Sequence, residues 1–311
     1  MNRRLAGATA ALLLLFLGAG GAASAQRPAP APPTPSTPAL WVIRDTDTTL
    51  YLFGTIHALP RGVPWFRKHV VEALDGSDRL VLEALLPDDP LGTMGLTIRM
   101  GRRPTPRPVL DRVPAERRAE LQAAIDRLKP GDLSGFDTWY IALVLANLQT
   151  LQDGFDPGTG VEAVLTERAR MRGKPIEGLE TPEEQLGFFK ALPEADQQQF
   201  LLATLDQLGQ SKAELDATIA DWVAGRKDEI AGRINREFEA SPMLRQMLLG
   251  DRHARWAAWI AGRMATPGKL FVAVGAGHLA GKGSLIDDLK RHGLEAERIT
   301  EAPPPRPRRR R

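Results

Sequence analysis

Residues 50–60 read LYLFGTIHALP, an apolar run of β type that stops at a glycine and reaches His57 three residues later. Residues 270–283, LFVAVGAGHLAGKG, repeat this pattern and reach His278. Short apolar runs bounded by glycine are typical of buried strands. Ligands collect at the carboxyl ends of parallel strands. The two Gly-x-x-His motifs therefore predict parallel strands that end at a binding site.

The glycine in each motif stands where the apolar run ends, at Gly54 in the first motif and at Gly275 in the second. Glycine can adopt a positive φ, and it can leave room for another group to approach closely. Either property would let the chain turn and aim the next histidine over the sheet edge. Gly277 directly precedes His278 and makes the second turn tighter still.

The sequence around each motif predicts a β-α-β unit. Residues 41–43 and 49–53 form a hairpin, and WFRKHVVEALDGSD is an amphipathic helix that ends at Gly76. The stretch RLVLEALL is then a buried strand that reaches Glu83. Around the second motif, GKLFVAVGAGH, GSLIDDLKRHG and EAERIT predict a strand, a helix and a closing strand. Strands joined through a helix in this way run parallel.

Between these units the chain is mainly helical. The apolar stretch TWYIALVLANLQTL is too short for a membrane span and predicts a buried helix. The strand KPIEGLE leads into a helix that begins with a capping box of Thr181 and Glu184. Residues 91–107 are basic and predict a loop. The fold class is therefore α/β, with a central, mostly parallel sheet made of N- and C-terminal β-α-β units and a large helical insert between them.

Both ends of the chain predict segments outside the folded domain. Residues 1–25 have the basic start, apolar run and small-x-small end of a secretory signal peptide, which predicts a periplasmic or secreted protein. An uncleaved N-terminal anchor is the alternative. Residues 26–38 predict a Pro-rich linker, residues 39–302 the α/β domain, and residues 303–311 a disordered Pro/Arg-rich tail. After cleavage of the signal peptide we expect no transmembrane span.

The positive charge of the chain lies at its ends. The net charge is +3, but without the eight arginines of the two terminal segments 33 basic residues face 38 acidic ones, a net charge of −5. A nucleic-acid-binding domain needs a basic face, so we expect no nucleic-acid partner. The Arg-rich tail could contact an anionic polymer or lipid, or serve solubility alone. The chain has no cysteine, so a metal site must use His, Asp and Glu.

Four residues whose side chains can bind a metal stand at the ends of apolar stretches: His57, Glu83, Glu180 and His278. Two imidazoles and two carboxylates suit Mn, Co, Fe or Zn, and oxygen ligands favour Mn. Each residue also has a structural interpretation. A single histidine after a strand often makes a structural hydrogen bond. A glutamate at such a position often caps a helix or forms an ion pair with a basic side chain.

The series LFGTIH, LVLEALL, KPIEGLETPEEQL, GDRHARWAAWI and FVAVGAGHLAGKGSLIDDLKRHG resembles the successive motifs of the TraB/PrgY/GumN family. The resemblance covers about residues 41–300. It implies a fold related to the ChaN and erythromycin-esterase group. It also implies a metallopeptidase dependent on Mn or Co, because the animal Tiki ectodomains of this family are described so.

When the motifs are matched one by one, the resemblance implies that the family's two essential histidines correspond to His57 and His278. Its two glutamates correspond to Glu83 and Glu180. The Arg-Asn pair of the family stands here as Arg252 followed by histidine. The arginine is kept and the asparagine is not, which leaves open any role that rests on the asparagine.

Three functions are compatible with these features. The first is an exported metal-dependent hydrolase, peptidase-like, acting on a peptide or small molecule. In it Glu83 is the general base and Arg252 stabilises negative charge, while a divalent metal (Mn or Co, with Zn or Fe as alternatives) is held by the histidines and one or both glutamates. The second is a non-catalytic protein that binds or sequesters a peptide or haem. The third is an accessory factor in polysaccharide assembly.

Overall fold

The structure is a computed structural model that describes four segments: residues 37–85, 90–208, 211–237 and 245–299. The predicted signal peptide, all but the last two residues of the predicted linker, and the predicted Pro/Arg-rich tail lie outside the described residues. All site residues named above lie within the four described segments.

A six-stranded mixed sheet forms the centre of the protein. In chain order its strands are β1 (Leu40–Arg44), β2 (Thr48–Thr55), β3 (Arg79–Ala84), β4 (Ile176–Glu180), β5 (Gly268–Gly275) and β6 (Glu297–Ile299). Their order across the sheet is β4-β3-β5-β2-β1-β6. The first four of that order are parallel, whereas β1 runs antiparallel to both β2 and β6. The predicted α/β class with a mostly parallel sheet is therefore confirmed.

The two strands that carry the Gly-x-x-His motifs are direct neighbours. They pair in parallel along their whole length, with Gly54 opposite Val274 and Thr55 opposite Gly275. Both strands are covered on their two faces, which is why each reads as a nearly continuous apolar run. Because the two strands end at the same level of the sheet, the two Gly-x-x-His motifs leave the sheet side by side.

Eleven α-helices lie in the described residues: α1 (Lys68–Asp75), α2 (Pro90–Gly101), α3 (Arg118–Leu128), α4 (Thr138–Gln152), α5 (Val161–Met171), α6 (Pro182–Lys190), α7 (Glu194–Leu208), α8 (Ser211–Val223), α9 (Lys227–Glu237), α10 (Asp251–Met264) and α11 (Leu285–Arg291). A π-helical turn, Gln246–Gly250, runs into α10. A 3-10 turn, Ala276–Leu279, follows β5 and contains the second motif histidine.

The helices cover both faces of the sheet. Leu52 and Val272 point to one face, where they pack with Trp256 of α10 and with α11. Phe53 and Phe271 point to the other face, where most of the helical insert packs. The result is a three-layer α/β/α arrangement in which α10 lies directly against the strands that carry the motifs.

Local signals predicted most helices correctly. The capping box is present, since the Thr181 hydroxyl accepts from the Glu184 N–H and the Glu184 carboxylate accepts from the Thr181 N–H. The predicted loop at residues 91–107 is wrong for its first part, which is helix α2. Its glycines disfavour a helix locally, but α2 packs against α6 and buries Leu96 and Thr97. That tertiary contact outweighs the local preference.

Helix α4 is buried, as its apolar sequence predicts. Trp139 and Ile141 are fully buried, and the Asn147 amide is satisfied within the helix by donating to the Leu143 carbonyl at 2.8 Å. Among the described residues, no helix is both long and apolar enough to cross a membrane.

Candidate active site at the carboxyl edge of the sheet

Three of the predicted site residues surround Gly275 at the end of β5. A Cβ atom placed on Gly275 would lie 3.1 Å from Oε1 of Glu83, 3.4 Å from Nε2 of His57 and 3.5 Å from Cδ2 of His278. These side chains come from the ends of three adjacent parallel strands, β2, β3 and β5. We call the space that they enclose beside Gly275 the Gly275 cradle.

The motif glycines serve close approach and not an unusual backbone angle. Gly275 has a φ of −50°, and Gly54 and Gly277 are also outside the set of described glycines with positive φ. Of the two alternatives predicted for Gly54 and Gly275, close approach is therefore the one that applies. A Cβ on Gly54 would lie 3.0 Å from the Cα of Ala276, so Gly54 lets the first strand touch the turn of the second motif.

Glu83 is buried and ionised. Its Oε1 accepts from the Gly275 N–H, and its Oε2 accepts from Arg252 at 2.9 Å and from Gln185 at 3.4 Å. Burial alone would raise the pKa of Glu83, but the charges of Arg252 and His57 and these hydrogen bonds lower that pKa below its ordinary value. Glu83 therefore carries its negative charge at neutral pH.

Arg252 joins the two predicted glutamates. Its side chain is 2% exposed, and its Nε donates to both carboxylate oxygens of Glu180 at 3.0 Å. Arg255 donates to Glu180 as well, at 3.0 Å. The carboxylate of Glu180 is thus bound by two arginines, and its role as a metal ligand stays a prediction.

His57 is held by a glutamate that the sequence did not single out. Its Nδ1 lies 2.6 Å from Oε1 of Glu162, which also accepts from the Thr55 hydroxyl. Burial would lower the pKa of His57, but the charge and hydrogen bond of Glu162, together with Glu83, raise that pKa to about 9. At neutral pH His57 is therefore positively charged, with a proton on both ring nitrogens. Its Nε2 faces the Gly275 cradle.

Glu162 reaches His57 because the start of α5 lies against the first motif. The Val161 N–H donates to the Ile56 carbonyl at 3.0 Å, and a Cβ on Gly160 would stand only 2.0 Å from the His57 carbonyl oxygen. Only glycine permits this contact. In the sequence Glu162 looks like an ordinary acidic residue in a first helical turn, so nothing local marks it as a site residue.

His278 is bonded through both ring nitrogens. Its Nδ1 lies 2.9 Å from Nε2 of His253, and its Nε2 lies 3.3 Å from both Arg252 and Glu83. His253 in turn bonds the Gly283 carbonyl through Nδ1 at 2.8 Å. Burial lowers the pKa of His253 to about 4, and burial with the charge of Arg252 lowers the pKa of His278 well below its usual range. Both rings are therefore neutral.

His253 is the second site residue that sequence reasoning missed. It stands where the resembling family has asparagine, and that departure was the available signal. In the structure it is 1% exposed and contacts the second motif histidine directly. His253 therefore adds a third imidazole to this site.

The donor groups of the cradle fit a divalent metal by chemical type. One carboxylate oxygen and two imidazoles suit Mn, Co, Fe or Zn. His57 and His278 each have the other ring nitrogen bonded, as metal-binding histidines usually do. Within the described segments, however, no three His, Asp or Glu side chains are arranged as a metal-binding group. The predicted Mn or Co, with Zn or Fe as alternatives, stays a prediction.

Sheet and site together define an α/β protein with a buried His/Glu/Arg cluster at the carboxyl edge of its parallel strands. Residues 39–298 match the TraB/PrgY/gumN family, and the chain belongs to this family. The family expected from the motifs is thereby confirmed.

The chain is similar to proteins of bacteria. It is 25% identical to an uncharacterized protein of Treponema pallidum (strain Nichols) over 278 residues, which cover 82% of this chain and 80% of the relative. It is also 25% identical over 260 residues to the uncharacterized protein YbaP of Escherichia coli (strain K12), covering 81% and 92% of the two chains. No solved structure matches the chain.

Proposed function

We propose that the protein is an exported, metal-dependent hydrolase that acts on a peptide or a related amide. The observation that carries the proposal is the meeting of His57, Glu83 and His278 at the Gly275 cradle. Burying charged and polar groups together costs free energy unless they are paired and hydrogen-bonded. Here a connected network satisfies them, which favours a site kept for its chemistry over an accident of packing.

His57 and His278 would hold the metal, with Mn or Co favoured by a site that combines imidazole nitrogens with a nearby carboxylate oxygen. Glu83 would lie beside the metal without binding it tightly. Bound there, a divalent metal would polarise a carbonyl group and lower the pKa of water. Glu162 and His253 orient the two rings by bonding their outer nitrogens. Nε2 of His57 would have to release its proton to solvent for a metal to bind, because a ligand nitrogen must offer its lone pair.

Glu83 and Arg252 would act on the substrate. Arg252 binds Oε2 of Glu83 and so leaves Oε1 directed at the cradle. An ionised carboxylate in that position can accept a proton as general base. The guanidinium of Arg252 can also donate to a developing oxyanion. Its near-complete burial strengthens that interaction, because water does not screen it.

The terminal segments supply the rest of the proposal. Residues 1–25 favour export to the periplasm or beyond, where a peptide or small-molecule substrate would be met. The arginines of residues 303–311 would contact an anionic polymer or lipid surface. Deletion of the tail should then abolish co-sedimentation with anionic vesicles at low salt without changing metal content.

The substitution Gly275→Ala tests the site itself. With a φ of −50° the backbone accepts alanine without strain, but the methyl group would occupy the cradle between the three donors. We expect a folded protein that is destabilised by about 1–3 kcal/mol through overpacking against Glu83, that holds no Mn or Co by elemental analysis, and that hydrolyses no member of a peptide library.

The matched control is Gly262→Ala in α10, where an added Cβ meets no atom within 4 Å. This variant should keep both metal content and activity. Wild-type protein that takes up no divalent metal and cleaves no peptide would refute the proposal. So would a folded Gly275→Ala variant with full metal content and full activity.

A further inference from the structure

Two consecutive residues of α10 hold the two ring nitrogens of His278. His253 lies 2.9 Å from Nδ1, and Arg252 lies 3.3 Å from Nε2. One turn further along the same helix, the ring of Trp256 packs on the imidazole with 4.7 Å between ring centroids. A single helical turn therefore fixes both the position and the bonding partners of this histidine.

The direction of the hydrogen bonds can be worked out from the outer end. The Gly283 carbonyl can only accept, so the proton of His253 must be on Nδ1, which lies 2.8 Å from that oxygen. With exposed fractions of 1% and 3%, His253 and His278 are in surroundings that favour neutral rings. A neutral His253 then has a lone pair on Nε2, and it must accept from Nδ1–H of His278.

The inner end by itself leaves the tautomer open. Nε2 of His278 lies 3.3 Å from Nη1 of Arg252, which can only donate, and 3.3 Å from Oε1 of the ionised Glu83, which can only accept. An unprotonated Nε2 accepts from Arg252, whereas a protonated Nε2 would donate to Glu83. The bond to His253 at the outer end therefore decides between them, and it requires the Nδ1–H tautomer of His278.

We infer that His253 is a positioning residue that holds His278 in the Nδ1–H tautomer, so that the lone pair on Nε2 accepts from Arg252 inside the site. This role of His253 deepens the proposed function. Only the consequence for metal binding rests on that function. An imidazole binds a metal through an unprotonated nitrogen, and the bond made by the other nitrogen decides which one that is.

Two variants separate positioning from packing. His253→Leu fills space but offers no acceptor. His253→Gln reaches a similar distance, and its amide can accept from His278 while donating to the Gly283 carbonyl. If tautomer control is the role of His253, glutamine should restore it and leucine should not.

The tautomer is read directly by long-range ¹H–¹⁵N NMR of the full chain labelled on histidine. The chain has five histidines, so few ring signals need assignment. Wild type and His253→Gln should show His278 protonated on Nδ1 and unprotonated on Nε2, and His253→Leu should show a mixture of tautomers. Titration with Mn or Co should show a loss of affinity of about 10–100-fold for leucine only.

The outcomes for the inference and for the proposed function differ. If wild type binds neither metal but shows the Nδ1–H tautomer, the proposed function fails and the positioning role stands. An Nε2–H tautomer in wild type overturns the inference whatever the metal affinity. So does a folded His253→Leu variant whose tautomer and affinity match wild type. If the leucine variant does not fold, the wild-type and His253→Gln spectra decide.

Discussion

Replacing Arg252 by methionine should destabilise the protein by about 3–5 kcal/mol at pH 7, the usual cost of leaving a buried charge without its partner. The side chain of Arg252 is 2% exposed, and those of Glu83 and Glu180 are 5% and 2% exposed. Methionine retains the unbranched part of the arginine side chain but not its guanidinium group, so the lost ion pairs are the main cost and the cavity left by the guanidinium adds to it. Glu180 keeps Arg255, so Glu83 is the carboxylate that loses its arginine, and only the charge of His57 and the Gly275 N–H continue to stabilise its ionised form.

The sign of the pH dependence follows from Glu83. In wild type its pKa is lowered, so its ion pair stabilises the fold above the unfolded pKa of about 4.3 and that stability is lost on acidification. Without Arg252, the pKa of Glu83 should rise, because only the charge of His57 and the Gly275 N–H then oppose the effect of burial. The variant should then be most destabilised at neutral pH, and the difference from wild type should shrink as the pH falls and Glu83 becomes protonated.

Urea unfolding at several pH values between 7 and 4 measures both effects. Combining the change with Glu83→Gln should recover part of the loss, because the uncompensated charge is gone. The matched control is Arg255→Met. Arg255 also pairs with Glu180 but is half exposed, so its loss should cost less than about 1 kcal/mol. An Arg252→Met variant that loses less than 1 kcal/mol, or that loses the same amount at every pH, would refute the reasoning.

Three further predictions concern the scaffold. The hydrogen bond from Arg168 lowers the pKa of Asp75, so Asp75→Asn should be less stable than wild type at pH 7. The difference should shrink only as the pH falls below the ordinary pKa of Asp, about 3.9, and through the lowered pKa of the folded state; urea unfolding at pH 7 and at a series of acidic pH values checks this. Gly54→Ala should cost about 1–3 kcal/mol by overpacking against the turn after β5, measured by thermal unfolding, whereas Gly262→Ala should not. Thr181→Ala should cost about 1 kcal/mol in the same assay by removing the cap of α6, and Thr181→Ser, which keeps the hydroxyl, should be nearly neutral.

Much of the fold could be predicted from local sequence. The hairpin of β1 and β2, the helix after it, and the capping box at Thr181 follow from turn residues, amphipathic spacing and cap chemistry, which act over a few residues. The error at α2 shows the limit of such signals. The basic character of residues 91–107 predicted a loop, whereas contact with α6 helps to stabilise a helix over Pro90–Gly101.

The sequence predicted only part of the site, because some of its residues belong to a recognisable motif and others do not. His57 and His278 each follow an apolar strand and share a motif, so the sequence marks them. Glu162 and His253 lie inside ordinary helices and become site residues only through contacts with these histidines. No periodicity or spacing along the chain records such a contact.

By itself, the sequence determined that two strands end in Gly-x-x-His and that a parallel sheet would hold them. Tertiary structure alone decided that β5 lies between β2 and β3, that Gly275 leaves space among three donors, and that Arg252 binds both glutamates. The physical reason is distance along the chain. Strand formation and capping depend on neighbouring residues, whereas Arg252 and Glu83 are 169 positions apart, and only strand order and helix packing bring them together.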